Sequence, residues 1–311
     1  MSVLTQSLGS ETVAIPTLGE ILRSDPHAFV EKYVDVAAIN LACAVGLPGS
    51  EALNIARCLR SLDAMAVVVG QKTSHAWHIF ERHPSEFENS KNVFRVIFML
   101  YVLHREFGVH YNPARIDRSD ETFDPLDTAD LFIHGVLSPR RAGTCASLPV
   151  FAVAVGRRLG YPLKLVKVPE HLLFRWDDGS ERFNVDYNGE DGNIHPDSYY
   201  QTWPVKWTPQ IWRAQKHAQW LTSPTPRKDV ECFLGHRFLT LYALKRWEDG
   251  LECLLAAERY NPRCKPLHDG LRNELLQNIT RRDGLPPEAA RLAAALLAGV
   301  DVRALLQAGG F

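Results

Sequence analysis

Three residues of this 311-residue chain have the types and order needed for acyl-group chemistry: Cys145, His171 and Asp186. A thiolate attacks an acyl carbon, an imidazole takes and returns the proton, and a carboxylate fixes the imidazole tautomer and stabilises its charged form. Cys145 lies within Arg140-Arg141-Ala142-Gly143-Thr144-Cys145-Ala146-Ser147-Leu148-Pro149, behind a small-residue turn where a helical pattern starts. A helix N-terminus offers unpaired N–H groups and a partial positive charge, which lower a thiol's pKa and hold a developing oxyanion. One cysteine can thus be the nucleophile and half of an oxyanion hole. Taken singly, each residue has a plainer reading: a buried thiol, a strand histidine bonded to backbone, a turn aspartate. Only their ordered combination points to catalysis.

The elements that must position them are marked by a change of period. Leu148, Phe151, Ala152, Val155 and Leu159 mark one apolar helix face, stopped by Gly160 and Pro162, with Pro149 tolerated in the first turn. Residues 163–168, 171–176 and 182–186 then read as three consecutive strands, the last two joined by Asp177-Asp178-Gly179-Ser180. Antiparallel pairing brings His171 and Asp186 to one end of the sheet, and the helix running back across it places Cys145 there too. The predicted fold class is α+β, a helix on an antiparallel sheet. Glu170 is expected on the opposite face of its strand from His171.

Around this core the pattern is helical. After a flexible 1–16, Thr17 and Glu20 fit a capping box, and helices are predicted over 27–45, 51–80 and 90–107, the last stopped by Gly108. Residues 17–108 thus form a helical N-terminal region. From 109 to 139 the periodicity breaks, with Tyr111-Asn112-Pro113 and Phe123-Asp124-Pro125 as turns, and Asp127 or Thr128 capping a short helix through His134. Residues 109–222 form the core. Within them Tyr199, Tyr200, Trp203, Trp207, Trp212 and Trp220 either line a groove or pack the core against the tail. Ser223-Pro224-Thr225-Pro226 opens that helical tail, 223–311. There Gly250, Leu254, Ala257 and Pro262 match the second half of a tetratricopeptide repeat, while Phe238 departs from its first half. A single repeat cannot bury its own face, so a helical hairpin packed on the core is expected. Pro286-Pro287-Glu288 then leads into another helix and Asp301 caps a last one.

Composition narrows the partners. Lys plus Arg is 35 against 36 for Asp plus Glu, so no basic field draws nucleic acid or anionic lipid. Met1 to Pro16 lacks a signal-peptide pattern and no long uncharged apolar run occurs, which predicts a cytoplasmic address and no membrane partner. The six cysteines form no C-x-x-C pair, and Cys43, Cys58, Cys232, Cys253 and Cys264 read as small core residues with free thiols. His75 and His78, and the polar loop Asn188 to Asn193, lack a full ligand pattern, so no metal is expected.

The order Cys, His, Asp at separations of 26 (171 − 145) and 15 (186 − 171), on a helix followed by two strands, resembles the transglutaminase-like (papain-like) cysteine protease superfamily. Tyr111-Asn112-Pro113, Phe123-Asp124-Pro125 and the Arg-rich turn before Gly143-Thr144-Cys145 resemble its bacterial SirB-like branch, which sets helices before the core and tetratricopeptide-like helices after it. In many members of that branch the nucleophile position is not cysteine, so Cys145 is informative. The resemblance implies a thiol enzyme acting on amide bonds of a protein or peptide by hydrolysis, deamidation or acyl transfer. Its triad would be Cys145, His171 and Asp186, its intermediate a thioester, with no metal or organic cofactor. It also implies an upstream oxyanion donor, Tyr111 or Asn112, although Asn112 equally suits a turn before Pro113. Some members of the superfamily have lost activity. The alternative is therefore a catalytically silent scaffold that binds a protein partner through its helical tail.

Overall fold

Short polar caps, more than apolar periodicity, decide where the first helices begin. In the computed structural model, which describes residues 13–116, 124–187 and 192–281, Thr17 and Glu20 cap α1 (Leu18–Arg23) reciprocally, as their spacing predicts. Asp25 and Asp35 then start α2 (Pro26–Lys32) and α3 (Val36–Ala44), each carboxylate accepting two first-turn N–H groups. The predicted helix 27–45 is therefore two helices, because the Asp35 side chain offers the backbone a competing partner. The stretch 51–80 likewise divides into α4 (Ile55–His75), capped by Asn54, and α5 (Trp77–Arg82). α6 (Lys91–Phe107) starts at Ser90 and stops at Gly108, φ +70°, where it was expected to.

The next connection is ordered around a two-residue parallel pairing. β1 (His110–Tyr111) lies beside β2 (Ala142–Gly143), with α7 (Thr128–Leu131) and α8 (His134–Leu137) between them in sequence. A single helix through His134 was expected. Phe132 is instead extended, and the Ile133 N–H donates to Asn40 Oδ1 at 3.0 Å, which breaks the helix in two.

α9 (Leu148–Arg158) is buried from Leu148 to Gly156. It packs on a four-stranded antiparallel sheet in chain order: β3 (Leu163–Val168), β4 (His171–Asp177), β5 (Arg182–Tyr187) and β6 (Gly192–His195). β6 takes in Gly192 and Asn193, the last two residues of the expected polar loop; residues 188–191 lie outside the described residues. A Cβ on Gly156 would come within 2.3 Å of Leu163 Cδ1, so glycine lets helix and sheet approach. Strand alternation divides β4: Leu172, Phe174 and Trp176 join the main core, while Leu173 packs on the other face with Val166, Val168 and Tyr200. Arg175, which shares the second face, is fully buried. Its guanidinium donates to Asn184 Oδ1 at 2.6 Å, Asp197 Oδ1 at 2.7 Å and the Leu221 carbonyl at 3.1 Å. That one side chain fastens the segment after β6 to the sheet.

α10 (Pro209–Ala218) lies at the end of the core segment, and the tail comprises α11 (Pro226–Ala243), α12 (Trp247–Tyr260) and α13 (Lys265–Thr280). α11 and α12 pair as the expected helical hairpin. Arg237 of α11 donates to the Cys43 and Val45 carbonyls at 2.8 Å each, satisfying acceptors at the end of α3. Tyr260 Oη donates to the Ile21 carbonyl at 3.0 Å. One apolar cluster runs from Ile21 through α9 and the sheet to Ile279, so N-terminal helices, sheet and tail share a core. The flexible start expected at 1–16 falls largely on residues outside those described. So do Phe123 and the helices expected from Pro286-Pro287-Glu288 and Asp301. Among the described residues no helix is long and apolar enough to cross a membrane.

Replacing Arg175 by Ala takes the donor from Asn184 Oδ1 and one of three donors from Asp197, which keeps Asn184 Nδ2 and Arg182. Because Asp197 is partly exposed, the loss falls at the lower end of the range for breaking a buried pair, about 3 kcal/mol by denaturant unfolding.

Candidate functional site

Two separate pieces of chain meet at the site, and each is fixed by its own polar cluster. The first is the turn 144–147 that leads into α9. Helical hydrogen bonding already begins there, since the Leu148 N–H donates to the Thr144 carbonyl at 2.9 Å, although regular helix starts only at Leu148. Thr144 Oγ1 accepts from the Ala146 N–H at 3.2 Å and Ser147 Oγ from the Thr144 N–H at 3.1 Å. Cys145, expected at the helix start, thus occupies a tight turn just ahead of it and is half-buried. A Cβ on Gly143 would sit 2.6 Å from Ser147 Oγ and 2.7 Å from Val136 Cγ2, which explains glycine two residues before the thiol.

This turn is tied down from below by Asp130, only 4% exposed. Its carbonyl accepts from Thr144 Oγ1 at 2.8 Å. Its carboxylate accepts from Arg115 Nε at 2.7 Å, Asn112 Nδ2 at 3.0 Å and Arg140 Nη2. Asp127 balances the second charge, 3.2 Å from Arg140 and 3.6 Å from Arg115. Two aspartates and two arginines therefore form a closed cluster beneath Cys145. Asp127 stands at the start of α7, as expected, but its carboxylate serves the arginines and not the helix. The sequence reading missed this cluster; its signal was the pairing of Asp127 and Asp130 with the arginines of the turn before Gly143.

The second piece is the β4–β5 hairpin. His171 opens β4 and Asp186 lies near the end of β5, and His171 Nε2 is 3.0 Å from Asp186 Oδ1. Both are buried, at 7% and 8% exposure. The His171 imidazole also engages the Cys145 side chain. With Nε2 committed to Asp186, Nδ1 is the nitrogen left to exchange a proton with the thiol. Burial alone would push this imidazole down. The hydrogen bond to Asp186 and the interaction with Cys145 outweigh it and lift the pKa to about 9. Cys232 and Cys264 are pushed up to about 12 and Cys253 to about 11 by burial, so those thiols stay protonated at neutral pH.

The aromatic segment packs against this ring. Trp203 meets His171 edge-on at 4.9 Å between centroids, and Tyr200, fully buried, lies roughly parallel at 6.5 Å. Packing, rather than an open groove, is what most of these aromatics do, although Trp212 stays half-exposed. Glu170, expected on the far face of the strand, is instead the second residue of a two-residue turn after Pro169, at φ +59°. Asn112 also departs from the role of oxyanion donor. Its amide nitrogen is taken by Asp130 and its Oδ1 accepts from the Ala114 N–H at 3.2 Å, so it acts as a turn residue. Tyr111, half-buried, is placed opposite Gly143 by the β1–β2 register.

Residues 56–191, which include the turn, the hairpin and all three side chains, match the family model described as the transglutaminase-like superfamily. This segment is a transglutaminase-like superfamily domain. Curated relatives include F-box only protein 21 of Mus musculus, 38% identical over 63 residues, which are 20% of this chain and 10% of that protein. F-box only protein 21 of Homo sapiens is 30% identical over 111 residues, 35% of this chain and 17% of that protein. The chain thus spans under a fifth of the length of the relatives it matches. They are mammalian proteins, and neither they nor the family model carries the SirB-like branch or a bacterial origin. No solved structure gives a significant match. The matched segment extends upstream of the core through α4 and α6, which pack against each other, and α4 packs on α9, the helix that follows the Cys145 turn.

Truncating Asp130 to Ala removes the shared acceptor of Arg115, Arg140 and Asn112. Because both arginines are partly exposed and keep Asp127, unfolding in guanidinium chloride is expected to show a loss at the lower end of the range for breaking a buried pair, about 3 kcal/mol.

Proposed function

We propose that this chain is a thiol enzyme acting on amide bonds of a protein or peptide, by hydrolysis, deamidation or acyl transfer. The observation that carries the reading is one buried imidazole engaging both Asp186 and Cys145 and held charged to about pH 9. Cys145 Sγ attacks the carbonyl carbon. As the C–N bond breaks, His171 gives its proton to the leaving amine, and a thioester remains on Cys145. His171, now neutral, takes a proton from the incoming water or amine, whose attack releases the acyl group and returns the thiolate. Asp186 holds the ring orientation and stabilises its charged form throughout. The Cys145 N–H and the Tyr111 hydroxyl are the donors we assign to the oxyanion. The superfamily scaffold supports this chemistry. The finer likeness to the SirB-like branch, resting on Tyr111-Asn112-Pro113 and the turn before Gly143, belongs to the same proposal, as does a protein or peptide as substrate.

Iodoacetamide labelling of the native protein at pH 7 tests the nucleophile. Cys145 is expected to react roughly tenfold faster than an ordinary thiol, because a larger thiolate fraction is partly offset by lower intrinsic nucleophilicity. His171→Ala should bring the rate down to the ordinary value. A rate at Cys145 that is ordinary and unchanged by His171→Ala would favour the silent scaffold instead.

The pH profile tests the acid. Protonation of the leaving amine needs the imidazolium, so release of amine from a glutamine-containing peptide should fall as pH rises through about 9. Asp186→Asn weakens the support for the charged ring. It should move that alkaline limb to lower pH as well as reduce the rate.

A further inference from the structure

Behind the sheet, three side chains of metal-ligating type converge, Cys264 and His268 from one turn and the helix it opens, Glu231 from a helix some thirty residues earlier in the chain. Glu231 lies on α11, Cys264 ends the short turn Pro262–Cys264, and His268 lies on α13. One ligand atom from each falls within 4.8 Å of the others. We propose that Glu231, Cys264 and His268 form a structural binding site for a divalent cation of the zinc type, clamping α13 to α11.

Geometry supports it first. Zinc binds thiolate sulfur at about 2.3 Å and imidazole nitrogen at about 2.0 Å, which places the two ligand atoms of a tetrahedral site roughly 3.6 Å apart. Cys264 Sγ and His268 Nδ1 are 3.8 Å apart, so both can bind with almost no movement. Sulfur, imidazole and one carboxylate together select zinc or cobalt over magnesium or calcium, which prefer oxygen alone. Cys264 and Glu231 are buried, at 2% and 6% exposure, and the fourth tetrahedral position falls to a water on the side of the partly exposed His268.

The surroundings fit as well. Burial holds the His268 imidazole below its usual pKa, so it is neutral and keeps a lone pair at neutral pH. The thiol of Cys264 is protonated in the metal-free chain and donates to the Asn261 carbonyl at 2.9 Å, so binding a cation releases that proton. Asn261 is itself 5% exposed, and its side-chain Nδ2 is a buried donor without a hydrogen-bond partner. It lies in the turn that leads to Cys264, whose sulfur already contacts the Asn261 backbone carbonyl. Lys167 of β3 pairs with Glu231 through Oε2, which leaves Oε1 as a ligand. The ammonium neutralises Glu231 when no cation is bound and links the cluster to the sheet that carries His171.

Cobalt(II) chloride titrated alone into the full chain tests the site, in a Cys145→Ser background that removes the other reactive thiol. One equivalent is expected to produce a thiolate-to-cobalt charge-transfer band, with visible bands of tetrahedral intensity that zinc displaces. Cys264→Ser should abolish the charge-transfer band, and His268→Ala should weaken binding at least tenfold. Cys58→Ser should leave both unchanged. Because His268 is partly exposed, its variant is expected to fold, with an unaltered far-ultraviolet circular dichroism spectrum. Zinc should raise the melting temperature of the parent and not of this variant. No charge-transfer band, or a band that survives Cys264→Ser, would overturn the proposal.

Discussion

A histidine ring with 7% of its surface exposed should be neutral at physiological pH, because burial penalises its charged form. The pKa of His171 is lifted instead by a carboxylate 3.0 Å from Nε2 and by the interaction with the Cys145 side chain. Much of the fold can be read as what this arrangement requires. A buried imidazolium needs its partners held at hydrogen-bonding distance without help from water, so each must come from a rigid element. Asp186 is held by the β5 ladder between β4 and β6, and Trp203 and Tyr200 pack against the ring. Cys145 comes from a turn pinned at both ends, by Ser147 ahead and Asp130 beneath.

The charged clusters on the two sides divide the labour. The Asp130 cluster fixes the Cys145 turn, and the Arg175 cluster fixes the segment that carries the aromatic cover. Each is anchored on one buried residue, Asp130 or Arg175. Hydrophobic packing of α9 on the sheet is strong and tolerates small shifts, whereas thiol, imidazole and carboxylate must meet within a few tenths of an ångström. Directional bonds to backbone carbonyls, such as Thr144 to Asp130 and Arg175 to Leu221, supply that registration.

The helix, the hairpin and the three side chains were legible because a change from helical to strand period is a local signal, and Cys, His and Asp announce themselves by type. Features that depend on tertiary contact were not. α2 and α3 looked continuous until Asp35 was seen to cap, and β6 is too short to show alternation. Asn112 looked able to stabilise an oxyanion, yet Asp130, eighteen residues along, takes its amide. Glu170 was expected to obey strand alternation, but Pro169 before it makes a turn that puts it in the left-handed region. Cys264 and His268 are four residues apart, but Glu231 joins them only because α11 and α13 meet in the fold.

The charge state of His171 bears most directly on the proposed chemistry. It can be tracked by nuclear magnetic resonance titration of the ring carbon-bound protons in the native protein, in Cys145→Ser and in Asp186→Asn. A midpoint near 9 in the native protein, falling in each variant, is the predicted result. A native midpoint at or below about 6.5, the ordinary value for histidine, or one that neither substitution moves, would contradict it.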